Sequence, residues 1–130
     1  MTSINIWAVL VAALASFLLG GLWYSKILFG KLWQRESGYD EASCFHPARV
    51  FGVSLVFSFV AAYVFAQLLG PEPVLKDAVL KGLLVGAGVA GTSFGINYQF
   101  ASRSELLLGI DAGYHTVQFG LFGMVMGLWT

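Results

Sequence analysis

Four long apolar stretches fill most of the 130-residue chain, and short polar connections separate them. They cover about residues 4–25, 49–69, 77–100 and 105–129. Each is about as long as the ~20 residues that a helix needs to cross the hydrocarbon core of a membrane. The alternation of apolar and polar residues that marks half-buried strands is missing. The pattern therefore predicts an all-α integral membrane four-helix bundle that forms a single domain over residues 1–130.

The composition is typical of an integral membrane protein. Hydrophobic residues make up 58% of the sequence and charged residues only 11%, whereas about a quarter of the residues in soluble domains are charged. Because backbone polar groups must be paired within the chain in lipid, long apolar runs favour helices. We expect no cleavable signal peptide, because no Lys or Arg precedes Lys26 and the first apolar run is too long for one.

The basic residues are distributed unevenly between the connections. The first and third connections, which lie on one side of the predicted bundle, hold Lys26, Lys31, Arg35, Arg49 and Arg103. The other side, with the second connection, holds only Lys76 and Lys81. Cytoplasmic connections carry an excess of Lys and Arg, so this distribution predicts that both termini face outward.

Aromatic residues lie near the ends of the predicted spans, where the two membrane interfaces would be. The predicted interface anchors are Trp7 and Trp129 on the outer side and Trp23, Tyr24 and Trp33 on the inner side. The first connection also carries apolar residues at helical spacing, from Leu28 to Trp33, beside Lys31 and Arg35. It forms either a short helix on the inner surface or a continuation of the first span.

Glycines recur four residues apart in the last two spans. Small residues at this spacing let helix backbones approach closely inside a membrane. We therefore predict that spans three and four pack tightly together or form an oligomer contact. The predicted packing residues are Gly82, Gly86, Gly91, Gly95, Gly109, Gly113, Gly123 and Gly127.

Polar residues gather in the inner halves of spans three and four. The candidate ligand-binding or ion-binding residues are Asn97, Arg103, Asp111, Tyr114, His115 and Gln118. A charge in hydrocarbon costs at least ~2.5–3.5 kcal/mol on insertion scales, so Asp111 should face the interior and find a donor. His115, one helical turn later, is its expected partner. The cluster either forms a pocket for an ion, a proton or a small polar ligand, or it fastens two helices together.

Other chemistry has little support in the sequence. Cys44 and His46, with Asp40 and Glu41 nearby, supply too few ligands for a structural zinc site. We predict no metal and no cofactor, and no catalytic set is recognisable. The single cysteine excludes an intrachain disulfide. A net charge of zero argues against a nucleic-acid partner.

Two short signatures resemble those of a family of uncharacterised bacterial membrane proteins called domain of unknown function 1761. The first is Gly21-Leu22-Trp23-Tyr24-Ser25-Lys26 followed by Leu28-Phe29-Gly30-Lys31 and Trp33. The second consists of Asn97, Arg103-Ser104 and the run Ile110-Asp111-Ala112-Gly113-Tyr114-His115. Lys26 replaces the usual Pro of the family, and Asp111 stands where the family often has Asn. The resemblance implies a small four-helix protein of the bacterial inner membrane. It does not indicate any particular activity.

Three classes of function remain open on this evidence. The first is an accessory or structural subunit of a membrane assembly, and the second is a small channel or transporter whose path the polar cluster lines. The third is a membrane-embedded enzyme acting on a lipid or quinone, although an enzyme is the weakest of the three. The expected partners are the lipid bilayer and either further copies of the chain or a larger membrane complex.

Overall fold

The computed structural model describes residues 4–38 and 47–129, and its regular structure in these ranges is entirely helical. The prediction of an all-α chain is confirmed for the described residues. The α-helices are α1 (Ile6–Trp23), α2 (Gly30–Ser37), α3 (Pro47–Leu69), α4 (Leu75–Val85), α5 (Thr92–Phe100) and α6 (Glu105–Trp129). A π-helical segment, Gly86–Gly91, joins α4 directly to α5.

Three helices in the described ranges are long and apolar enough to cross a membrane. They are Ile6–Trp23, Ala48–Leu69 and the continuous helix Leu75–Phe100. The last helix, α6, has 25 residues but is not among them. Its polar residues, Asp111, His115 and Gln118 among them, lower its average hydropathy. The fourth predicted span therefore stays a prediction.

The long helix that is not among these candidate spans, α6, is also the central one. Helix α6 contacts α1, α2, α3, α4, the π-helical segment and α5. Its buried side chains include two polar ones, Asp111 and Gln118. A helix surrounded by other helices can carry polar groups because the neighbours supply hydrogen-bond partners that lipid lacks. The polarity of α6 thus agrees with its position.

Apolar residues form the core and also cover much of the outside. Small residues of α1 and α3, such as Ala12 and Ala62, pack with Phe65 of α3 and Phe122 of α6. Large apolar side chains on the outer faces are exposed, and Leu18, Phe57 and Leu84 show 74%, 69% and 69% of their surface. A soluble monomer rarely exposes continuous apolar surface on this scale.

The two ends of the bundle differ in what they contain. At one end, here called the α2 end, α1 and α5 end, α6 begins, and α2 lies against α6. At the opposite end, α1 begins, α3 and α6 end, and the connection of residues 70–74 crosses between α3 and α4. The described start of α1 and the end of α6 therefore share one end.

A tight turn separates α1 from α2. The Gly30 N–H donates to the Ser25 carbonyl at 2.8 Å, and a Cβ at Gly30 would lie 2.5 Å from the Tyr24 carbonyl oxygen. Only glycine fits so close to another backbone. Helix α2 ends at Gly38, whose φ of 74° is the left-handed conformation of a helix C-cap. The first connection therefore forms a separate short helix, and the first span does not continue through it.

The interruption of the third long helix by a π-helical segment was not predicted from the sequence. Its residues are small, and no side chain marks the change of hydrogen-bond pattern. The Thr92 hydroxyl donates to the Gly88 and Val89 carbonyls, and the Ser93 hydroxyl donates to the Val89 carbonyl at 2.7 Å. Such hydroxyls satisfy carbonyls that a local change of helix type leaves with weaker partners.

Helices α4 and α6 approach each other closely at glycines. A Cβ at Gly82 would lie 2.1 Å from the Phe119 carbonyl oxygen, and a Cβ at Gly123 would lie 2.2 Å from the Ala78 carbonyl oxygen. Both distances are impossible for real atoms, so the backbones contact each other only because side chains are missing there. Added Cβ atoms would also lie within 3.0 Å of the facing helix at Gly86, Gly120 and Gly127.

The remaining predicted packing glycines lie in looser surroundings. A Cβ at Gly113 would meet Trp23 of α1 at 3.2 Å. At Gly91 and Gly95 the nearest atoms would be 3.3 and 3.9 Å away, and at Gly109 nothing lies within 4 Å. Close approach is therefore concentrated along α4, the start of the π-helical segment and the second half of α6.

Candidate functional site at the junction of α1, α5 and α6

The centre of the candidate site is the carboxylate of Asp111, which lies in α6 near the α2 end and is 7% exposed. Its Oδ1 accepts a hydrogen bond from the Tyr24 hydroxyl at 2.7 Å, and its Oδ2 accepts one from the Tyr98 hydroxyl. Tyr24 follows the last residue of α1, and Tyr98 belongs to α5. One carboxylate therefore joins three helices.

A second hydrogen bond joins the same ends of α1 and α6. The Trp23 indole N–H donates to the Ile110 carbonyl at 3.0 Å. Consecutive residues of α1, Trp23 and Tyr24, thus bind the consecutive residues Ile110 and Asp111 of α6. The Tyr24 ring also packs against Tyr114, with 5.6 Å between ring centroids.

The contact between α1 and α6 continues farther along both helices. The Tyr114 hydroxyl donates to the Ser16 carbonyl at 3.0 Å, and the Gln118 amide N–H donates to the Ser16 hydroxyl at 3.5 Å. Ser16 is fully buried, and its own hydroxyl donates to the Ala13 carbonyl. We call this contact the polar seam. It is formed by Ser16 and Trp23 of α1 and the C-cap residue Tyr24 with Asp111, Tyr114 and Gln118 of α6.

His115 lies beside the polar seam and does not contact Asp111 through a hydrogen bond. Its Nδ1 is 2.7 Å from the Gln118 amide oxygen, so Nδ1 carries the proton when that oxygen accepts. The ring stacks on Phe94 of α5, with 5.1 Å between centroids. The expected Asp111–His115 pair is therefore wrong. Tyrosine hydroxyls from α1 and α5 reach the carboxylate from the sides, and the imidazole is turned toward Phe94.

The structure separates Arg103 and Asn97 from the polar seam. Arg103 is exposed, and its Nη1 donates to the Ser37 carbonyl at 2.8 Å, at the C-terminal end of α2. A cation is favourable there because the unpaired carbonyls of a helix end carry partial negative charge. Asn97 is exposed on α5, and the described hydrogen bonds to Asp111 come from Tyr24 and Tyr98 only. The six predicted site residues thus form a cluster of four with two outliers.

Arg103 and its neighbour Ser104 fasten α2 to the start of α6. The Ser104 hydroxyl oxygen accepts the Leu107 N–H at 3.0 Å, which caps the first turn of α6. The same hydroxyl binds the Glu36 carboxylate, and together with Arg35 it lowers the pKa of Glu36. Both residues of the Arg-Ser pair in the second signature therefore position α2.

The predicted interface anchors are placed in two different ways. Trp7 and Trp129 are exposed at the opposite end, with 69% and 46% of their surface free. Trp23 and Tyr24 are half-buried against α6. Trp33 of α2 packs edge-on against Tyr24, with 5.9 Å between centroids. The inner aromatic group therefore makes contacts within the protein in addition to any contact with an interface.

Sequence reasoning missed four donors and acceptors of the site, Ser16, Trp23, Tyr24 and Tyr98, and it had predicted Trp23 and Tyr24 only as interface anchors. Ser16 is an isolated hydroxyl in an apolar run, so no local pattern distinguishes it. Tyr24 and Asp111 belong to the two different signatures, and their joint presence is the one signal that could have paired them. Tyr98 follows Asn97 of the second signature. The sequence analysis predicted Asn97 as the site residue and did not consider Tyr98.

The polar groups inside the described parts of the fold are paired with one another. Within residues 4–38 and 47–129, every buried side-chain nitrogen and oxygen has a hydrogen-bond partner. The same ranges hold no group of three His, Cys, Asp or Glu residues able to bind a metal. Asp40, Glu41, Cys44 and His46 lie outside the described residues. Two cavities, of about 310 and 270 Å³, lie away from the polar seam.

The fold and the site define a class: a small all-helical protein with three helices apolar enough for a membrane and a polar seam that binds the first helix to the last. The chain belongs to the family described as "Protein of unknown function (DUF1761)", whose family model matches residues 7–127. The resemblance seen in the two signatures is thereby confirmed. No curated protein and no solved structure matches the chain.

The polar seam joins residues from the two sequence signatures of the family. The Trp23-Tyr24 pair comes from the first signature, and the run from Ile110 to Tyr114 comes from the second. Although 87 positions separate Tyr24 from Asp111, their side chains are bonded. The two signatures therefore form one structural unit.

Proposed function

We propose that this chain is a multi-pass protein of the bacterial inner membrane, with α1, α3, the helix Leu75–Phe100 and α6 as its four spans. The apolar outer faces of the first three helices support this proposal. The central position of α6 supports the fourth span, because its polar residues face other helices. The excess of basic residues favours a cytoplasmic location for the α2 end.

We infer that its role is that of an accessory or structural subunit in a membrane assembly. The pairing of the buried polar groups carries this inference. A transport path needs polar groups that can exchange water, protons or solute, whereas the polar seam uses its groups to bond α1, α5 and α6. A rigid pair of first and last helices presents a constant outer surface to a partner, which is what a structural subunit requires.

The outer surface provides the expected contacts. Helix α3 packs chiefly on α1 and leaves Phe57, Val60 and Val64 exposed on its other side. Further copies of the chain or another membrane protein would cover such a face in an assembly, and the close α4–α6 contact keeps the opposite side of the bundle compact. In lipid, helices associate through close packing of complementary surfaces and not through the hydrophobic effect.

A small channel or transporter is the second candidate, and the environment of Asp111 favours it. Within the described residues this buried carboxylate accepts two hydroxyl donors and forms no ion pair. An intramembrane acid without a bound cation is typical of sites that carry protons or ions. In this case, Asp111→Asn would abolish flux in proteoliposomes while the protein still folds.

Native mass spectrometry of the full chain, extracted in a mild detergent from its own membrane, separates the two proposals. An accessory subunit is expected to retain one other membrane protein in a fixed ratio. A homogeneous assembly of this chain alone, with flux that Asp111→Asn removes, would contradict the accessory role and support transport. The Asp111→Asn protein must show unchanged helical content for the flux result to count.

A further inference from the structure

A cavity of about 310 Å³ lies at the end of the bundle opposite α2, away from the polar seam. Its floor is apolar and comes from α1, α3 and α6. Its upper wall comes from the connection between α3 and α4. The floor residues are Ala8, Val9, Ala66, Leu69 and Met126. The volume lies at the lower limit of the ~300–1,000 Å³ usual for small-molecule sites, so it suits one short aliphatic chain.

The rim of this cavity is rich in hydrogen-bond acceptors and poor in donors. The connection runs Gly70-Pro71-Glu72-Pro73, and the two prolines have no N–H to offer. Helix α3 ends at Leu69, the Gly70 N–H donates to the Ala66 carbonyl at 3.0 Å, and the carbonyls that follow lie beyond the last helical N–H. Helix α6 ends at the same place, and both helix ends add negative potential. The rim therefore favours a ligand that donates hydrogen bonds and carries positive charge.

Asn5 caps one of the two helix N-termini at this end, because α4 also begins here, at Leu75. Helix α1 begins here, and its free N–H groups would otherwise attract an anion. The Asn5 side-chain oxygen accepts the Trp7 and Ala8 N–H groups at 3.1 and 3.2 Å. Lys76, the nearest basic residue along the chain, does not line the cavity. Among the described residues that line the cavity, Glu72 is the only charged one.

Glu72 has an unusual backbone conformation for its position. Its φ is 52°, which falls in the left-handed region that side chains other than glycine seldom adopt. It stands between two prolines that fix the chain on both sides. Backbone strain of this kind is found preferentially at binding sites. Here it holds an exposed acidic residue in the lining of an apolar cavity.

We propose that this cavity binds an amphiphile that has a primary ammonium group and an aliphatic chain. The ammonium, with three N–H donors, bonds to the Glu72 carboxylate and to carbonyls of the rim. The aliphatic chain lies against the floor of alanine, valine, leucine and methionine. Both an aminophospholipid and a free alkylamine present this chemistry.

The test uses decylammonium and decyltrimethylammonium with the full chain in a neutral detergent, and it measures the shift of melting temperature against ligand concentration. The second ligand keeps the charge and the chain but has no N–H to donate. We expect decylammonium to bind the natural chain about tenfold more tightly than decyltrimethylammonium, since a charge-assisted hydrogen bond is at least that strong. Equal binding of the two would overturn the proposal.

Three variants locate the binding. Glu72→Gln is expected to lose the tenfold preference, and the matched Asp77→Asn, which removes a charge from the exposed first turn of α4, should keep it. Ala66→Leu fills the floor without changing charge and should weaken both ligands. Unchanged binding by Glu72→Gln, or an equal loss in Asp77→Asn, would contradict a site at Glu72. Unchanged binding by a folded Ala66→Leu protein would contradict a site in the cavity.

A second arm distinguishes the two sources of the ammonium. Native mass spectrometry follows retention of phosphatidylethanolamine against phosphatidylglycerol, supplied in equal amounts to the natural chain and to Glu72→Gln. Preferential retention of the ethanolamine lipid by the natural chain alone would assign the site to a lipid. Decylammonium binding without such retention would assign it to free amines. Neither response in the natural chain would overturn the proposal.

Discussion

Asp111 shows most clearly how one residue acts through its neighbours. Two tyrosine hydroxyls donate to the carboxylate, one from the end of α1 and one from α5. An amide can accept from one hydroxyl and donate to the oxygen of the other. The position requires a planar group with two polar atoms.

We therefore expect Asp111→Asn to preserve the fold and Asp111→Leu to weaken it. The leucine leaves two tyrosine hydroxyls without acceptors, and we expect a loss of about 1–3 kcal/mol in the free energy of unfolding. Unfolding in a mixed detergent series measures both variants. Tyr24→Phe and Tyr98→Phe each remove one bond and serve as intermediate controls. A leucine variant as stable as the natural protein would show that the junction contributes nothing to stability.

The exposed carboxylate of Glu36 provides a residue whose effect depends on pH. The Ser104 hydroxyl, first, and Arg35, second, lower the pKa of Glu36 below the ordinary glutamate value of about 4.3. A lowered pKa in the folded state means that the contact stabilises the protein at neutral pH. This stabilisation is lost as the pH falls from that ordinary value through the lower folded value.

Hydrogen exchange of the α2 amides between pH 7 and pH 3, corrected for intrinsic exchange rates, checks this dependence. The natural chain should lose protection in α2 at the acid end of the range. Glu36→Gln should show reduced protection already at pH 7, with a smaller further loss on acidification. Identical pH profiles for the two proteins would mean that Glu36 does not hold α2 against α6.

At the scale of elements, the positions of the long helices could be predicted from the sequence. The contacts between the helices could be predicted only in part. Apolar length predicted α1, α3 and the helix Leu75–Phe100, because a run of this kind has few alternatives in lipid. The π-helical segment left no trace in the residue pattern, since small residues suit both helix types. The Asp111 bonds could not be predicted from α6 alone, because Tyr24 and Tyr98 come from two other helices.

The close contact of α4 with α6 makes a sharp prediction about glycines that look equivalent in the sequence. Gly82→Ala should strongly destabilise the protein, because its Cβ would lie 2.1 Å from the Phe119 carbonyl oxygen. Gly109→Ala should be neutral or stabilise by up to about 1 kcal/mol, because its Cβ meets open space and alanine favours helix.

Thermal unfolding in detergent compares the two glycine variants directly. Both replace a helical glycine by the same residue, so the difference between them reports the helix contact and not the intrinsic helix propensity. A melting temperature that falls equally in both variants, or that falls only in Gly109→Ala, would contradict the observed packing.

At the scale of the whole molecule, apolar side chains cover the outside of the described helices and polar side chains are buried in the central one. Helices α1 and α3 expose large apolar residues outward, whereas α6 keeps Asp111 and Gln118 buried. If α6 is the fourth span, as we propose, average hydropathy underrates it. The sequence predicted four spans from apolar length alone, and the missing information was which residues of α6 face other helices.

The path of α6 is the central claim, and labelling of single cysteines tests it most directly. In a Cys44→Ser background, Ser102→Cys and Trp129→Cys place thiols at the two ends of α6. A membrane-impermeant maleimide should label Trp129→Cys in intact spheroplasts and Ser102→Cys only after permeabilisation. Labelling of both positions from the same side of the membrane would contradict the account, because α6 would then not cross the bilayer.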